Sequence, residues 1–161
     1  MHPTPPGLND RTAGGRRDSR VRDAELVLVA REVEAEGKPC IVAGDFNDVA
    51  WSRTTRLFKR LSGLCDPRVG RVMLNTYHAE YPLMRYPIDQ VFLPEGSTVH
   101  ALRRVPIAGS DHFAVVVDMH VAHHEAQGEA STTEVQAAEQ LVEEGKEDAQ
   151  RRNVDSSKDQ D

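Results

Sequence analysis

One short stretch, from Val42 to Asp48 (VAGDFND), constrains the fold of this chain more than any other. It closes an apolar run that begins at Cys40, and such a run is typical of a buried β-strand. Gly44 lets the backbone turn, and polar residues follow it directly. On an extended backbone Asp45 and Asn47 project to one side, because side chains alternate along a strand. The stretch therefore predicts either an Asx turn that closes a strand or a polar site at the edge of a sheet.

The remainder of the sequence predicts an α/β domain. Apolar residues recur at helical spacing from Leu26 to Val33, and Gly37 ends the pattern. Ser52 is placed to cap a second helix. Apolar runs and alternating patterns further along the chain indicate strands. The expected elements are helices over residues 19–36 and 53–62 and strands over residues 40–44, 72–74, 88–93, 98–105 and 113–121.

Composition divides the chain into a folded part, residues 1–123, and an acidic tail, residues 124–161. Aromatic residues make up only 5% of the chain, which predicts an aliphatic core. Residues 125–161 carry eleven acidic and four basic side chains, so their net charge of −7 accounts for the −6 of the whole chain. Leu141 and Val142 are too few to bury a helix. We therefore expect the tail to be disordered or weakly helical.

Several classes of protein are disfavoured by the sequence. Two cysteines cannot form a disulfide framework. No apolar run approaches the roughly 20 residues that a membrane helix needs. The residues after Met1 lack the apolar region of a signal peptide. We expect no membrane segment in this chain and, by default, a cytoplasmic location.

Three acidic positions follow predicted strands: Asp45 with Asn47, Asp89, and Asp111 with His112. Hydrolysis of a phosphate ester uses such groups, because carboxylates hold a divalent cation that neutralises phosphoryl oxygens. A histidine can transfer a proton, and a carboxylate behind it fixes its tautomer. Asp89 suits that orienting role for His112. Asn47 can bond to a phosphate oxygen without adding negative charge.

These residues carry a resemblance to a known family. The segments Gly44–Asn47 (GDFN), Ile88–Phe92 (IDQVF) and Ser110–His112 (SDH) resemble, in order and separation, three C-terminal motifs of the endonuclease/exonuclease/phosphatase superfamily. The resemblance implies a partial α/β sandwich of that type, with a mixed sheet flanked by helices. It also implies a phosphoesterase that depends on Mg²⁺ or Mn²⁺. A bacterial subgroup that the chain further resembles often has membrane helices ahead of the catalytic domain.

The resemblance implies a role for each residue of the constellation. Asp45 would align or deprotonate the attacking water, and Asn47 would bind the scissile phosphate. Asp89 would orient His112, which would contact the phosphate and transfer a proton. Whether Asp45 or His112 is the general base stays open. Asp111 would lie at the metal site, to which Asp45 also belongs. The substrate is a phosphate ester, with nucleic acid, lipid and small molecule all open.

Part of the family's site has no counterpart in this sequence. His2 stands where many relatives have a second histidine, which the resemblance implies to be catalytic. The resemblance covers about residues 1–121 and begins near the middle of the family's domain. An Asn and a metal-binding Glu from its first half are missing. We therefore expect a C-terminal part of the domain. It could be a gene fragment, a non-catalytic relative that binds a partner, or a half completed by a second polypeptide.

Overall fold

A computed structural model describes residues 1–5, 19–121 and 131–158, with side chains up to Arg151. The predicted α/β class is confirmed, and the helices and strands begin and end within a few residues of the expected positions, except that residues 72–74 form no strand. A 3₁₀ turn at Pro82–Met84 precedes the second strand. The main elements are α1 (Arg20–Glu36), β1 (Val42–Asp45), α2 (Arg53–Ser62), β2 (Asp89–Phe92), β3 (Thr98–Pro106), β4 (Phe113–His120) and α3 (Thr132–Lys158).

Local sequence explains where the first two helices begin and end. Helix α1 stops at Gly37, which adopts φ 60° in the left-handed region that favours glycine. Helix α2 starts at Ser52, whose hydroxyl accepts a hydrogen bond from the Thr55 N–H at 2.9 Å. None of the helices in the described part of the chain combines the length and the apolar character that a membrane span requires.

The strands form two antiparallel pairs, β1 with β2 and β3 with β4. The expectation of a mixed sheet is corrected in this respect, because the described residues contain no parallel pair. Val91 of β2 lines a small cavity together with Leu102 of β3 and Val115 of β4. The two pairs therefore face each other across apolar side chains, which is the arrangement of a sandwich.

The core centres on three phenylalanines rather than on aliphatic residues alone. The rings of Phe46, Phe58 and Phe92 lie 5.0–5.4 Å apart between centroids, and all three side chains are fully buried. Leu26 and Val27 of α1 complete this core. Low aromatic content therefore does not mean an aliphatic core, because the few aromatic residues are concentrated at one place. This cluster anchors the loop after β1 against α2.

Of the two expectations for the tail, disorder or a weak helix, the structure has a helix, α3, over Thr132–Lys158. Ala138, Val142 and Gly145 are buried, and a Cβ added to Gly145 would lie 2.3 Å from the Cβ of Ala24 in α1. Small side chains let two helices approach closely, so the tail needs few large apolar residues to pack. Ion pairs complete the interface, among them Arg20–Glu144 at 3.5 Å and Arg60–Glu134 at 2.9 Å. The predicted boundary at residues 123 and 124 lies outside the described residues.

Candidate active site

Two carboxylates of the candidate site come from neighbouring strands. Asp45 ends β1 and Asp89 begins β2, and the antiparallel register places their Cα atoms opposite each other. Side chains opposite each other in such a pair lie on one face of the sheet. Burial raises the pKa of the Asp45 carboxyl above its ordinary value, against the lowering effect of the Asn47 N–H, and the charge of Asp89 raises it further. Asp45 is therefore a better proton acceptor than an exposed aspartate.

The loop after β1 is an Asx-type turn that also directs polar groups into the site. The Asn47 N–H donates to Oδ1 of Asp45 at 2.8 Å, and Asn47 has φ 49°. Asparagine tolerates this left-handed conformation better than most residues. The Asn47 side-chain amide donates to the Pro3 carbonyl at 3.1 Å. The turn and the site, which the sequence posed as alternatives, therefore coexist.

His112 reaches the same place from the loop before β4. Its Nδ1 lies 2.8 Å from Oδ2 of Asp89, and its backbone N–H donates to the Ser110 hydroxyl at 3.1 Å. A carboxylate on one ring nitrogen fixes the orientation of an imidazole and leaves the other nitrogen for chemistry. The structure thus brings together the two residues that the sequence paired as orienting group and histidine.

The segment formed by residues 1–5 brings His2 to the site. Nε2 of His2 lies 3.7 Å from Oδ2 of Asp45. The segment is held from the other side by Thr4, whose N–H donates to Glu25 of α1 at 2.7 Å. Gly44 permits the close passage of this segment, because a Cβ there would lie 1.8 Å from the Met1 carbonyl oxygen. The glycine of the GDFN segment is therefore required by the approach of residues 1–5 to β1.

Asp111 does not join the other acidic residues. Its side chain is exposed, and its carbonyl oxygen accepts a hydrogen bond from the Ala79 N–H at 2.6 Å. It is absent from the cluster of Asp45, Asp89 and His112 among the residues that the structure describes. A metal-binding role for Asp111 stays a prediction from the resemblance.

Thr76 and Tyr77, from the segment before β2, support the site. Thr76 is fully buried, and its hydroxyl accepts the Asp89 N–H at 3.2 Å. The ring of Tyr77 lies 4.9 Å from the imidazole of His112 between centroids. Backbone hydrogen bonds join this segment to its neighbours, including Phe113 N–H to the Thr76 carbonyl at 2.9 Å. The sequence indicates a loop with aromatic residues at 76–78, but no pattern in it places Thr76 beside Asp89.

The cluster of Asp45, Asp89 and His112 fits a divalent cation. One ligand atom from each residue lies within 4.8 Å of the other two. Carboxylate oxygens suit Mg²⁺ and Mn²⁺, whereas an imidazole nitrogen suits Mn²⁺ better than Mg²⁺. Because Nδ1 of His112 already contacts Asp89, the two carboxylates are the stronger candidates for holding the ion.

Comparison with known proteins agrees with this geometry. No curated protein and no solved structure shows a significant match to the chain. The model of the Endonuclease/Exonuclease/phosphatase family matches residues 2–112, more than half of the 161 residues. The match begins at His2 and ends at His112, and it contains Asp45, Asn47 and Asp89. This chain therefore belongs to the endonuclease/exonuclease/phosphatase family.

Proposed function

We propose that the chain acts as a metal-dependent phosphoesterase that hydrolyses a phosphodiester or a phosphomonoester. The family consists of nuclease- and phosphatase-type hydrolases and is generally metal-dependent. The observation that carries the proposal is the convergence of Asp45, Asp89 and His112 within 4.8 Å. Two carboxylates and one imidazole supply the groups that hydrolysis of a phosphate ester needs.

Asp45 and His112 are the two candidates for the group that takes the proton of the attacking water. Asp45 qualifies because burial raises the pKa of its carboxyl. His112 qualifies because Asp89 contacts its Nδ1 at 2.8 Å and directs Nε2 away from the pair. His2 lies beside Asp45 and could exchange a proton with it. If Asp45 takes the proton, its carboxylate is indispensable for hydrolysis; if His112 takes it, the imidazole is.

Asn47 and His112 are proposed to bind the phosphate. The carboxamide of Asn47 can donate to a phosphate oxygen without repelling it, although it donates to the Pro3 carbonyl here. Substrate binding would therefore exchange that hydrogen bond for one to the phosphate. His112 adds a second group that can donate to the phosphate.

Asp45 and Asp89, with Asp111 as a further candidate, would hold Mg²⁺ or Mn²⁺. When bound, such an ion neutralises phosphoryl oxygens and thereby favours attack by water. The two facing carboxylates repel each other without a cation, which is consistent with a site built for positive charge.

A second candidate function is that of a partner-binding module without catalysis. It is favoured by the sheets, each of which has only two strands among the described residues, because the edge strands of small sheets can pair with a further strand. A second polypeptide that pairs with these edges could also contribute ligands to the site. In that case activity would appear only in the complex.

The experiment is hydrolysis of bis(p-nitrophenyl) phosphate and p-nitrophenyl phosphate with Mg²⁺ or Mn²⁺. We expect turnover that EDTA abolishes and that His112→Ala lowers at least about a hundredfold. His120→Ala is the matched control, since His120 is exposed at the end of β4. Turnover that is absent, or that His112→Ala leaves unchanged, would refute catalysis by this chain and favour the binding module.

A further inference from the structure

We propose that Arg22 and Gln90 are positioning residues that fix the backbone of Asn47 and thereby aim its carboxamide at the phosphate. The proposal rests on the proposed function. Among the described residues, neither side chain forms a hydrogen bond or ion pair with the side chains of Asp45, Asp89 and His112. Both act on the loop after β1 from outside, through the carbonyl groups of two consecutive peptides.

The loop needs such support because the conformation of Asn47 is uncommon. A positive φ of 49° is rarely adopted by residues other than glycine. Such conformations persist only where the surrounding structure holds them, and they occur frequently at functional sites. The Asp45 carboxylate holds the N–H side of Asn47 at 2.8 Å. The carbonyl side must be held by other groups.

Arg22 holds the first of the two carbonyls. Its Nη1 donates to the Asn47 carbonyl oxygen at 2.7 Å across 25 positions of the chain. The Arg22 side chain is 11% exposed, and its guanidinium is itself fixed by Asp23, which lies 2.7 Å from Nη2. Asp48 contributes a third contact, at 3.6 Å from Nη2. The rigid fork of an arginine can serve all three groups at once, which a lysine cannot.

Gln90 holds the second carbonyl. Its Nε2 donates to the Asp48 carbonyl oxygen at 2.7 Å, and its Oε1 accepts from Nη2 of Arg68 at 3.1 Å. Gln90 is 1% exposed, and Asp66 in turn binds Arg68 through two of its nitrogens, each at 2.8 Å. A buried glutamine with both ends paired is fixed in orientation, because any rotation would leave polar groups unsatisfied.

The position of Gln90 on β2 links the loop that carries Asn47 to the strand that carries Asp89. Gln90 follows Asp89 directly, so the two side chains project to opposite faces of the sheet. Asp89 orients His112 on one face, while Gln90 holds the loop that carries Asn47 on the other. One rigid strand therefore sets the distance between the two groups proposed to bind the phosphate. A displacement of about 1 Å in such a group can cost about a hundredfold in rate.

The alternative is that Arg22 and Gln90 only stabilise the fold. A double-mutant cycle separates the two cases, since residues that act through Asn47 lose their effect once Asn47 is removed. We compare kcat and KM for Arg22→Lys, Gln90→Leu and Asn47→Ala, and for each of the first two combined with the third. Ser62→Ala is the control, because Ser62 is a buried polar residue at the far end of α2.

We expect Arg22→Lys and Gln90→Leu to lower kcat/KM about tenfold to a hundredfold in the wild-type background. In the Asn47→Ala background each should change it less than about twofold. Ser62→Ala should give the same small change in both backgrounds. Equal losses from Arg22→Lys in the presence and absence of the Asn47 side chain would overturn the proposal.

A second measurement does not depend on turnover. The exchange rate of the Asn47 N–H reports on the loop directly, and Arg22→Lys, the milder variant, should raise it at least about tenfold without changing exchange at Leu61 in α2. If the wild-type protein hydrolyses nothing, the proposed function fails, and this exchange rate still decides the positioning role. Unchanged exchange at Asn47 in both variants would overturn it.

Discussion

At the scale of single residues, Asp89 makes contacts with three other residues of the site. It faces Asp45 across the strand pair, its N–H is held by Thr76, and its carboxylate contacts His112. Its negative charge fixes the orientation of the His112 imidazole. When a cation is bound, the same carboxylate would also neutralise part of the cation's positive charge. The identity of the side chain therefore matters more than its size.

Asp89→Asn tests this requirement. The change conserves shape but replaces an acceptor that fixes the His112 tautomer by an amide that can also donate. We expect kcat to fall by about a hundredfold to ten-thousandfold while the midpoint of thermal unfolding stays within a few degrees. Asp118→Asn, at an exposed position of β4, is the control. A kcat within threefold of the wild-type value would contradict the orienting role.

Asp66 and Arg68 make a separate prediction about stability. Burial alone would raise the pKa of the Asp66 carboxyl, but the hydrogen bonds and charge of Arg68 outweigh burial and hold it below its ordinary value near 3.8. The folded protein therefore binds fewer protons than the unfolded chain. Stability from the ionised carboxylate is fully present above the unfolded pKa and is lost as pH falls through the folded pKa.

We expect Asp66→Asn to lower the free energy of unfolding at pH 7 by about 3 kcal/mol, because Arg68 keeps its buried charge without a partner. The difference from the wild-type protein should begin to narrow as pH falls below about 4, where the carboxyl of the unfolded chain becomes protonated, and should be lost as pH falls through the lower pKa of the folded protein. Urea denaturation at pH 7, 4 and 3 measures this, with the exposed Glu95→Gln as control. A difference that is constant across this range would contradict the role of the charge.

At the scale of elements, the sequence predicted the features that depend on residues close together in the chain, namely the strands and the helix ends. Alternating and continuous apolar runs located β1 to β4, and Ser52 and Gly37 located helix ends, because these patterns express local geometry. The motif residues were also identifiable, since each lies at or next to the end of an apolar run, where the structure has the end of β1, the start of β2 and the start of β4. Contacts across long separations were not, and Arg22 to Asn47 is one example. Nothing near Arg22 in the sequence indicates that it reaches a loop 25 residues away.

The packing of helix α3 against α1 was missed for a related reason. Its buried side is built from Ala138, Val142 and Gly145, whose small side chains give a weak apolar pattern. The small side chains stabilise the fold only because the surface of α1, above all at Ala24, lets α3 approach closely. Composition can indicate whether a segment is able to form a core of its own, but it cannot show that a neighbouring helix offers a fitting groove.

Gly145→Leu tests the packing of α3 on α1. Leucine is the better helix former by almost 1 kcal/mol, yet its Cβ would overlap Ala24. We expect the free energy of unfolding to fall by about 1–3 kcal/mol and protease cleavage within α3 to become faster. Gln136→Leu, on the exposed side of α3, should change stability by less than about 0.5 kcal/mol. Equal effects of the two variants would contradict the packing.

At the scale of the whole molecule, the site depends on parts that are far apart in the chain. The sheet formed by β1 and β2 contributes Asp45 and Asp89, the loop before β4 contributes His112, and residues 1–5 contribute His2. The site therefore exists only when the two sheets and the N-terminal segment pack together. A ligand that binds there stabilises the entire fold, because the unfolded chain has no comparable cluster.

Binding of a divalent cation should therefore be visible in global stability. Mg²⁺ or Mn²⁺ at a hundred times its dissociation constant is expected to stabilise the wild-type protein by about 2.7 kcal/mol, and EDTA should reverse this. Asp45→Asn removes a proposed ligand and should abolish most of the effect, whereas the exposed Asp118→Asn should retain it. Thermal unfolding with and without the ion measures all three proteins.

A comparison of Asp45→Asn with the wild-type protein in the absence of the ion distinguishes a cation-binding role of Asp45 from a structural one. Burial and the nearby Asp89 raise the pKa of Asp45, so its ionised form is disfavoured in the folded state and destabilises it as pH rises through that pKa. At pH 7 without metal, Asp45→Asn should thus be at least as stable as the wild-type protein. With metal, the order should reverse, because only the wild-type protein gains. If Asp45→Asn is the less stable protein without metal and gains as much as the wild type with it, Asp45 is a structural residue and the cation site lies elsewhere.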